Sequence, residues 1–379
     1  MTQSTPENYP LDQLYFYLSE GCNLRCRHCW IAPKFQANDP GKTLPVELFR
    51  HIVSQAKIIG LTGVKLTGGE PLLHPEIEII LQYIQEEGLD LTVETNGVLC
   101  TAKLARQMAA CRNPSVSVSL DGATPETHEF VRNVNGSFAD AVSGIRNLVE
   151  AGIQPQIIMS VMRCNRDQME PVIHLAESLG AGSVKFNIIQ PSARGAQLHE
   201  QGETLSIGEL IELGAWVEKT VAPAATVPVY YDHPDAFRPM SRMYGKDGDG
   251  RASCGIFGIL GVLADGAYAL CGIGASRSEL VFGHAERDAL ATVWTNTPIL
   301  QQIRVGLPER LQGICQECLL KTGCLGSCLA QNFYRSDSLW APYWYCEQAA
   351  SAGLFPETRR LSTYQAESES RRTPILEEK

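Results

Sequence analysis

The first half of this 379-residue chain repeats one order, a short apolar run followed by an amphipathic stretch. Leu14-Tyr15-Phe16-Tyr17-Leu18 is apolar and rich in aromatics, which predicts a buried strand. From Pro45 to Gly60, apolar Val46, Leu48, Phe49, Ile52, Val53, Ala56 and Ile59 recur at helical spacing. Pro45 suits a first helical turn there, and Gly60 suits the stop. The pattern then predicts strands at 63–67, 89–95, 115–120, 156–162 and 183–189. Helices are expected near 76–87, 101–110, 138–151 and 168–180. Six strand–helix units in a row imply an α/β fold with a parallel sheet and right-handed crossovers. Pattern alone leaves a doubly wound order open. Beyond 190 the alternation stops. Residues 190–195 read as loop, Ile207 to Val221 as amphipathic, and 222–252 as a connector rich in proline, glycine and aspartate. Tyr230, Tyr231 and Asp232 are expected to pack within that connector.

Cysteines change the picture. In Ser19-Glu20-Gly21-Cys22-Asn23-Leu24-Arg25-Cys26-Arg27-His28-Cys29-Trp30, three thiols follow the first strand at spacings of four and three. Such a loop can wrap one corner of an iron–sulfur cube and leave one iron without a protein ligand. An open iron can chelate a small molecule and pass it an electron. A zinc site with His28 as fourth ligand is the alternative, although a ligand nested between Cys26 and Cys29 crowds a tetrahedron. One strand later stands Gly68-Gly69-Glu70-Pro71. Two glycines admit close backbone approach, and the carboxylate can accept from an ammonium group. A plain strand-to-loop turn is the simpler reading. A second constellation comprises Cys254, Cys271, Cys315, Cys318, Cys324, Cys328 and Cys346. A zinc ribbon uses four of these and leaves three, whereas two clusters use all seven. Cys100, Cys111 and Cys164 read as small core residues.

Cys22-x3-Cys26-x2-Cys29 resembles the signature loop of the radical S-adenosylmethionine (SAM) enzymes, and the Gly-Gly-Glu-Pro loop resembles their SAM-amine motif. The seven later cysteines resemble the SPASM extension of peptide-modifying members. Core and extension together span residues 14–350. The resemblance implies a lead-in at 1–13, then a radical SAM core at 14–221 built as a partial (β/α)6 TIM-like barrel. The connector at 222–252 leads to a cysteine-rich SPASM domain at 253–350, and a tail at 351–379 is expected to be partly disordered. Three [4Fe-4S] clusters are implied. One binds SAM on Cys22, Cys26 and Cys29. Auxiliary cluster I takes Cys254, Cys271 and Cys328 and lacks an obvious fourth cysteine; auxiliary cluster II takes Cys315, Cys318, Cys324 and Cys346. Contacts to SAM are implied at Gly68, Gly69, Glu70 and Pro71, at Thr95 and Asn96, and at Ser119 and Arg132, the arginine facing the methionine carboxylate. No catalytic base can be named. Sulfatase-maturing relatives carry an aspartate directly after the cysteine matching Cys271, where this chain has Gly272-Ile273-Gly274.

The implied activity is maturation of a ribosomally made precursor peptide by a 5′-deoxyadenosyl radical that abstracts hydrogen. The product is a crosslink, an epimer or an excised backbone unit. Cys-Arg-His-Cys-Trp and Gly-Cys-Leu-Gly-Ser-Cys-Leu-Ala faintly resemble maturases of Nif11-like peptides, some of which are spliceases that excise a tyramine unit. With a barrel starting by residue 14, a separate small leader-recognition protein is expected, together with an electron donor such as flavodoxin or ferredoxin. Two alternatives stand: radical modification of a nonpeptide metabolite such as a tetrapyrrole, and a non-enzymatic zinc or electron-transfer protein. A net charge of −10 argues against a nucleic-acid partner. No apolar run reaches the roughly 18 residues of a membrane helix, and no signal peptide opens the chain, so a cytoplasmic address without a membrane partner is expected. The odd count of 13 cysteines, clustered as they are, reads as metal ligation in a reducing compartment.

Overall fold

The computed structural model describes residues 9–35, 39–246, 248, 250, 254–272 and 277–363. Ile273-Gly274, the lead-in before 9 and the tail beyond 363 lie outside the described residues. The chain divides into two compact units. The first comprises Met1–Leu205, Val217–Asp232 and Gly255–Arg304; the second comprises Ser206–Trp216, His233–Cys254 and Val305–Lys379.

The first unit is built on one sheet. Strands β1 (Gln13–Tyr17), β2 (Gly63–Thr67), β3 (Asp90–Thr95), β4 (Arg112–Ser119), β5 (Gln156–Val161) and β6 (Ser183–Ile188) pair in parallel and in chain order. Helices α1 (Val46–Ile58), α2 (Ile77–Glu86), α3 (Ala102–Ala109), α4 (Pro125–Arg132), α5 (Ser137–Glu150) and α6 (Met169–Leu179) fall between or after them. Strictly sequential order with right-handed crossovers puts every helix on the same side of the sheet. A doubly wound sheet instead reverses its order at a switch point. That alternative is excluded.

The burial pattern agrees. In β3, β5 and β6 half-buried and buried residues alternate without a break. A parallel sheet covered by helices on both faces reads as a continuous apolar run, so this alternation marks one helix-covered face and one polar face. Leu91, Val93, Ile157, Met159, Val184 and Phe186 lie on the covered face. Lys65, Glu94 and Lys185 are half-buried on the other, where Lys65 pairs with Glu94, and Lys185 with Asp232 at 3.2 Å.

The sheet is longer than the six units expected. Val229–Tyr231 forms β7, parallel to β6, within the stretch read as a connector. Only three residues long and flanked by Pro228 and Pro234, it carries no periodicity of its own, yet Val229 and Tyr231 are buried. At the opposite edge, β8 (Ile259–Val262) pairs in parallel with β1, and antiparallel β9 (Ala267–Ala269) and β10 (Val281–His284) complete ten strands.

Among the helices absent from the sequence reading are two of the first unit. Helix α4 begins properly, with a Thr124 cap and Pro125 in its first turn, and ends on left-handed Asn133. Its buried face is His128, Val131 and Arg132, so polar side chains hide the apolar period. Helix α7 (Arg194–Glu200) buries one large apolar residue, Leu198. Pro45, expected inside the first turn of α1, is its N-cap instead.

Helix α1 anchors the covered face through Phe49, fully buried with its ring centroid 4.4 Å from that of Phe16. Phe49→Ala is expected to cost about 3–5 kcal/mol, read as a fall in the urea midpoint of the iron-loaded protein. Ile58→Ser, at a residue 84% exposed on the same helix, should change stability by no more than about 0.5 kcal/mol. Equal shifts would contradict this packing.

Candidate functional site

In parallel α/β sheets, reactive groups gather beyond the carboxyl ends of the strands. The cysteine loop leaves β1 there, Gly68-Gly69-Glu70-Pro71 leaves β2, Asn96 leaves β3 and Asp121 leaves β4.

The first two loops are stitched together by backbone. Gly69 N–H donates to the Ser19 carbonyl at 3.0 Å and Glu70 N–H to the Gly21 carbonyl at 3.1 Å, while Ser19 Oγ donates to the Glu70 carbonyl at 2.9 Å. The approach leaves no space for a side chain at Gly69. A Cβ there would stand 1.9 Å from the Gly21 carbonyl oxygen. Gly68 adopts φ of 129°, a conformation that glycine alone reaches cheaply.

Glu70 is buried. Its Oε1 accepts from Thr95 Oγ1 at 2.6 Å and from Leu72 N–H at 3.0 Å, and its Oε2 accepts from Asn96 N–H at 2.8 Å. Burial raises its pKa against the pull of these donors. Thr95 and the Asn96 backbone, expected at the cofactor, here hold Glu70 in place, and Asn96 Nδ2 donates to Asn23 Oδ1 at 2.7 Å. An ionised carboxylate has about four acceptor positions. Three donors leave room for an incoming ammonium.

Cys22 and Cys26 are buried with Leu24, and Cys29, Val98 and Val134 pack against them. Each thiol meets an N–H donor. Leu24 N–H reaches Cys22 Sγ at 3.4 Å, Ala32 N–H reaches Cys29 Sγ at 3.3 Å, and Arg132 Nη1 reaches Cys26 Sγ at 3.4 Å. Burial pushes the Cys22 thiol well up, helped by the Glu70 charge, and burial also raises Cys29. Thiolates at these positions therefore form with the metal that displaces their protons. Three thiols packed in one cluster, N–H donors on them and a backbone cradle beside them make up the donor chemistry that suits an iron–sulfur cluster with an open iron.

Arg132, expected at a methionine carboxylate, is buried beside Asp121, its Nε 2.8 Å from Asp121 Oδ2. Asp121 is wholly buried. Its Oδ2 also lies 2.9 Å from His28 Nε2, and its Oδ1 accepts from Ser160 N–H at 2.8 Å. Burial opposes its charge, yet Arg132, His28 and that N–H hold the carboxyl well below the ordinary range. His128, lowered to about 4 by burial and by Arg132, accepts the Asp121 N–H through Nδ1 at 3.2 Å. Sequence reasoning missed Asp121 and weighed His28 only as a zinc ligand. Ser119 ends β4, half-buried. Arg194 braces the cysteine loop by donating to the Cys26 carbonyl at 3.0 Å and the Pro33 carbonyl at 3.1 Å.

The later cysteines divide between the units. Cys315, Cys318, Cys324 and Cys346 lie together in the second, where the Cys346 thiol is raised first by burial and then by the charges of the other three. Cys315 is pushed up to about 11 and Cys324 to about 12, both chiefly by burial. Cys254 and Cys328 belong to the second unit and Cys271 to the first. Gly272 follows Cys271 and donates its N–H to Tyr17 Oη at 2.6 Å. A Cβ at 272 would lie 2.1 Å from the Tyr17 ring, so the ring excludes any side chain at this position.

Comparison with known proteins agrees with this geometry. Residues 16–176 match the model of the radical SAM superfamily. A probable GTP 3′,8-cyclase of Pyrobaculum aerophilum is 31% identical over 212 residues, covering 54% of this chain and 67% of that protein. The chain belongs to the radical SAM superfamily. This radical SAM enzyme is similar along most of its length to an AdoMet-dependent heme synthase of Methanosarcina barkeri, at 27% identity over 87% of this chain and 94% of that one. It is also similar to the mycofactocin maturase MftC of Mycobacterium ulcerans, at 28% identity over 91% and 90%. Its fold matches Streptococcus suis SuiB bound to precursor peptide SuiA, with a TM-score of 0.70 and 18% identity over 89% of this chain and 76% of that one.

Gly69→Ala tests the cradle. Two backbone hydrogen bonds must break to admit its Cβ, at about 1 kcal/mol each, so SAM affinity should fall at least tenfold with helix content unchanged. Gly208→Ala, where nothing but Leu354 lies within 4 Å, should leave SAM affinity as it was. Titration of SAM into anaerobic iron-loaded protein checks both.

Proposed function

We infer that this radical SAM enzyme matures a ribosomally made peptide. The observation that carries the reading is the three-thiol loop stitched to a Gly-Gly-Glu cradle, in a chain similar over nine-tenths of its length to a mycofactocin maturase. Cys22, Cys26 and Cys29 hold the SAM-binding cluster. Bound together, cluster and SAM supply a 5′-deoxyadenosyl radical able to take hydrogen from an unactivated carbon. The chain's own residues bind and orient: Glu70 takes the SAM ammonium, with Thr95 and Asn96 fixing its carboxylate, and Ser119 lies at the end of β4 close by in sequence to Asp121. Burial of the thiols keeps water from the reactive corner.

Two auxiliary clusters complete the reading, one of them on Cys315, Cys318, Cys324 and Cys346. Support for that one is the closeness of its thiols, whose charges act on Cys346, with Cys315, Cys318 and Cys346 buried. The bond made in the peptide is a crosslink, an epimerised centre or an excised unit, with tyramine splicing as the narrowest form. A small leader-recognition protein and a flavodoxin or ferredoxin are the expected partners, in the cytoplasm. Among the described residues no helix is long and apolar enough to cross a membrane. Heme synthase relatives of similar identity favour a second reading, radical chemistry on a tetrapyrrole.

Anaerobic reconstitution should load about twelve irons per chain. With dithionite and SAM the enzyme should then form 5′-deoxyadenosine, and Cys22→Ala should abolish it. A precursor peptide whose mass changes in the same reaction supports the peptide reading. Change in a tetrapyrrole, with every candidate peptide untouched, would overturn it.

A further inference from the structure

The three thiols of the cysteine loop do not meet equivalent donors. Cys22 and Cys29 accept neutral N–H groups, Cys22 from Leu24 and at 4.0 Å from the Asn96 amide and Cys29 from Ala32, while Cys26 accepts from a guanidinium. Hydrogen bonds to cluster sulfurs withdraw electron density and raise the reduction potential, and a charged donor does so more strongly than a neutral one. Arg132 does not reach Cys26 by chance of a long side chain. It is buried at the C-terminal end of α4, and its Nε is fixed at 2.8 Å by Asp121. Asp121 is locked in turn by Ser160 N–H and by His28. His28 lies on the cysteine loop itself, so the network leaves that loop at His28, turns at Asp121 and returns through Arg132 to Cys26. The backbone repeats the connection, because Arg25 N–H donates to the Arg132 carbonyl at 3.1 Å and Arg27 N–H to that of Val131 at 3.0 Å.

We propose that Asp121 and His28 position Arg132 as a charged hydrogen-bond donor to the Cys26 ligand sulfur, setting the reduction potential of the cluster before SAM arrives. Asp121 and His28 are positioning residues, acting through the guanidinium. Charge balance within the pocket is part of the device. Asp121 offsets the cation, so Arg132 lends its N–H to the sulfur without adding a net positive charge to the buried site. The proposal rests on Cys22, Cys26 and Cys29 holding the cluster and is independent of which substrate the enzyme modifies.

The test is a dye-mediated potentiometric titration of iron-loaded protein without SAM, followed by electron paramagnetic resonance. The signal that changes when SAM is added afterwards identifies this cluster among the others. In Arg132→Gln the SAM-free potential should become more negative, enough to lower the reduced-to-oxidised ratio at a fixed poise about tenfold for one electron. Asp121→Asn keeps the shape of the side chain but removes the charge that offsets the guanidinium, so it should move the potential the opposite way, to less negative values. It provides the reading should Arg132→Gln fail to fold. Arg132→Lys retains the charge without the fork and should not restore the wild-type value. A wild-type potential in Arg132→Gln, or in Asp121→Asn where only that variant folds, would overturn the proposal. Weakened SAM binding alongside that unchanged potential would assign Arg132 to the methionine carboxylate alone. Absence of any SAM-responsive iron–sulfur signal in the wild-type protein would sink the cluster assignment and this proposal with it.

Discussion

A carboxylate sealed from water must be answered by charge or by hydrogen bonds, since burying it alone costs several kcal/mol. Asp121 is that carboxylate here, and its answers come from three elements: Arg132 on α4, His28 on the cysteine loop and the Ser160 N–H on β5, while the His128 ring, also on α4, accepts the Asp121 backbone N–H. Asn165 Nδ2 adds a bond to its carbonyl at 3.0 Å. Removing one partner from a buried ion pair costs roughly 3–5 kcal/mol, so the geometry of each element is tied to the others. The cysteine loop carries no regular secondary structure beyond Gly21–Cys22 and cannot fix its own shape. Asp121 fixes it from below, and the Ser19–Glu70 stitching fixes it from the side.

The sheet makes this convergence possible. Strands β1 to β6 stand in chain order, so the loops after β1, β2, β3 and β4 emerge side by side along one rim. A doubly wound order would separate the loop after β1 from some of these by a reversal of direction. The singly wound order also leaves one face without helices. Paired charges such as Lys185 and Asp232 occupy it, and the Asp232 charge raises the Lys185 pKa in spite of desolvation.

What sequence revealed and what it withheld follow from the range of each interaction. Cys22, Cys26 and Cys29 lie within eight residues, and Gly69 and Glu70 are adjacent, so spacing alone carried their chemistry. Strands and helices with apolar periods were legible for the same reason. His28 meets Asp121 across 93 residues, Arg132 meets Cys26 across 106, and Gly272 meets Tyr17 across 255. No local pattern encodes such contacts. Helix α4 stayed hidden because its inner face is His128 and Arg132, polar residues whose burial makes sense only once Asp121 and Cys26 lie opposite. The glycine after Cys271 was visible as a departure from sulfatase-maturing relatives; its cause, the Tyr17 ring, was not.

Glu70 and Arg132 together give the pocket a direction. The Glu70 carboxylate acts on the Cys22 thiol, and the Arg132 guanidinium touches Cys26. An amino-acid group with its ammonium toward Glu70 and its carboxylate toward Arg132 would lie along that gradient rather than across it. A guanidinium carries five N–H donors; Nη1 donates to Cys26, while the approach of Nε to Asp121 is an ion pair. Holding a sulfur and receiving a carboxylate are therefore compatible roles for one arginine, provided something else keeps the fork still. A surface arginine would spend rotamer entropy to adopt that pose. Asp121 removes that cost in advance, because its ion pair already holds the guanidinium in place.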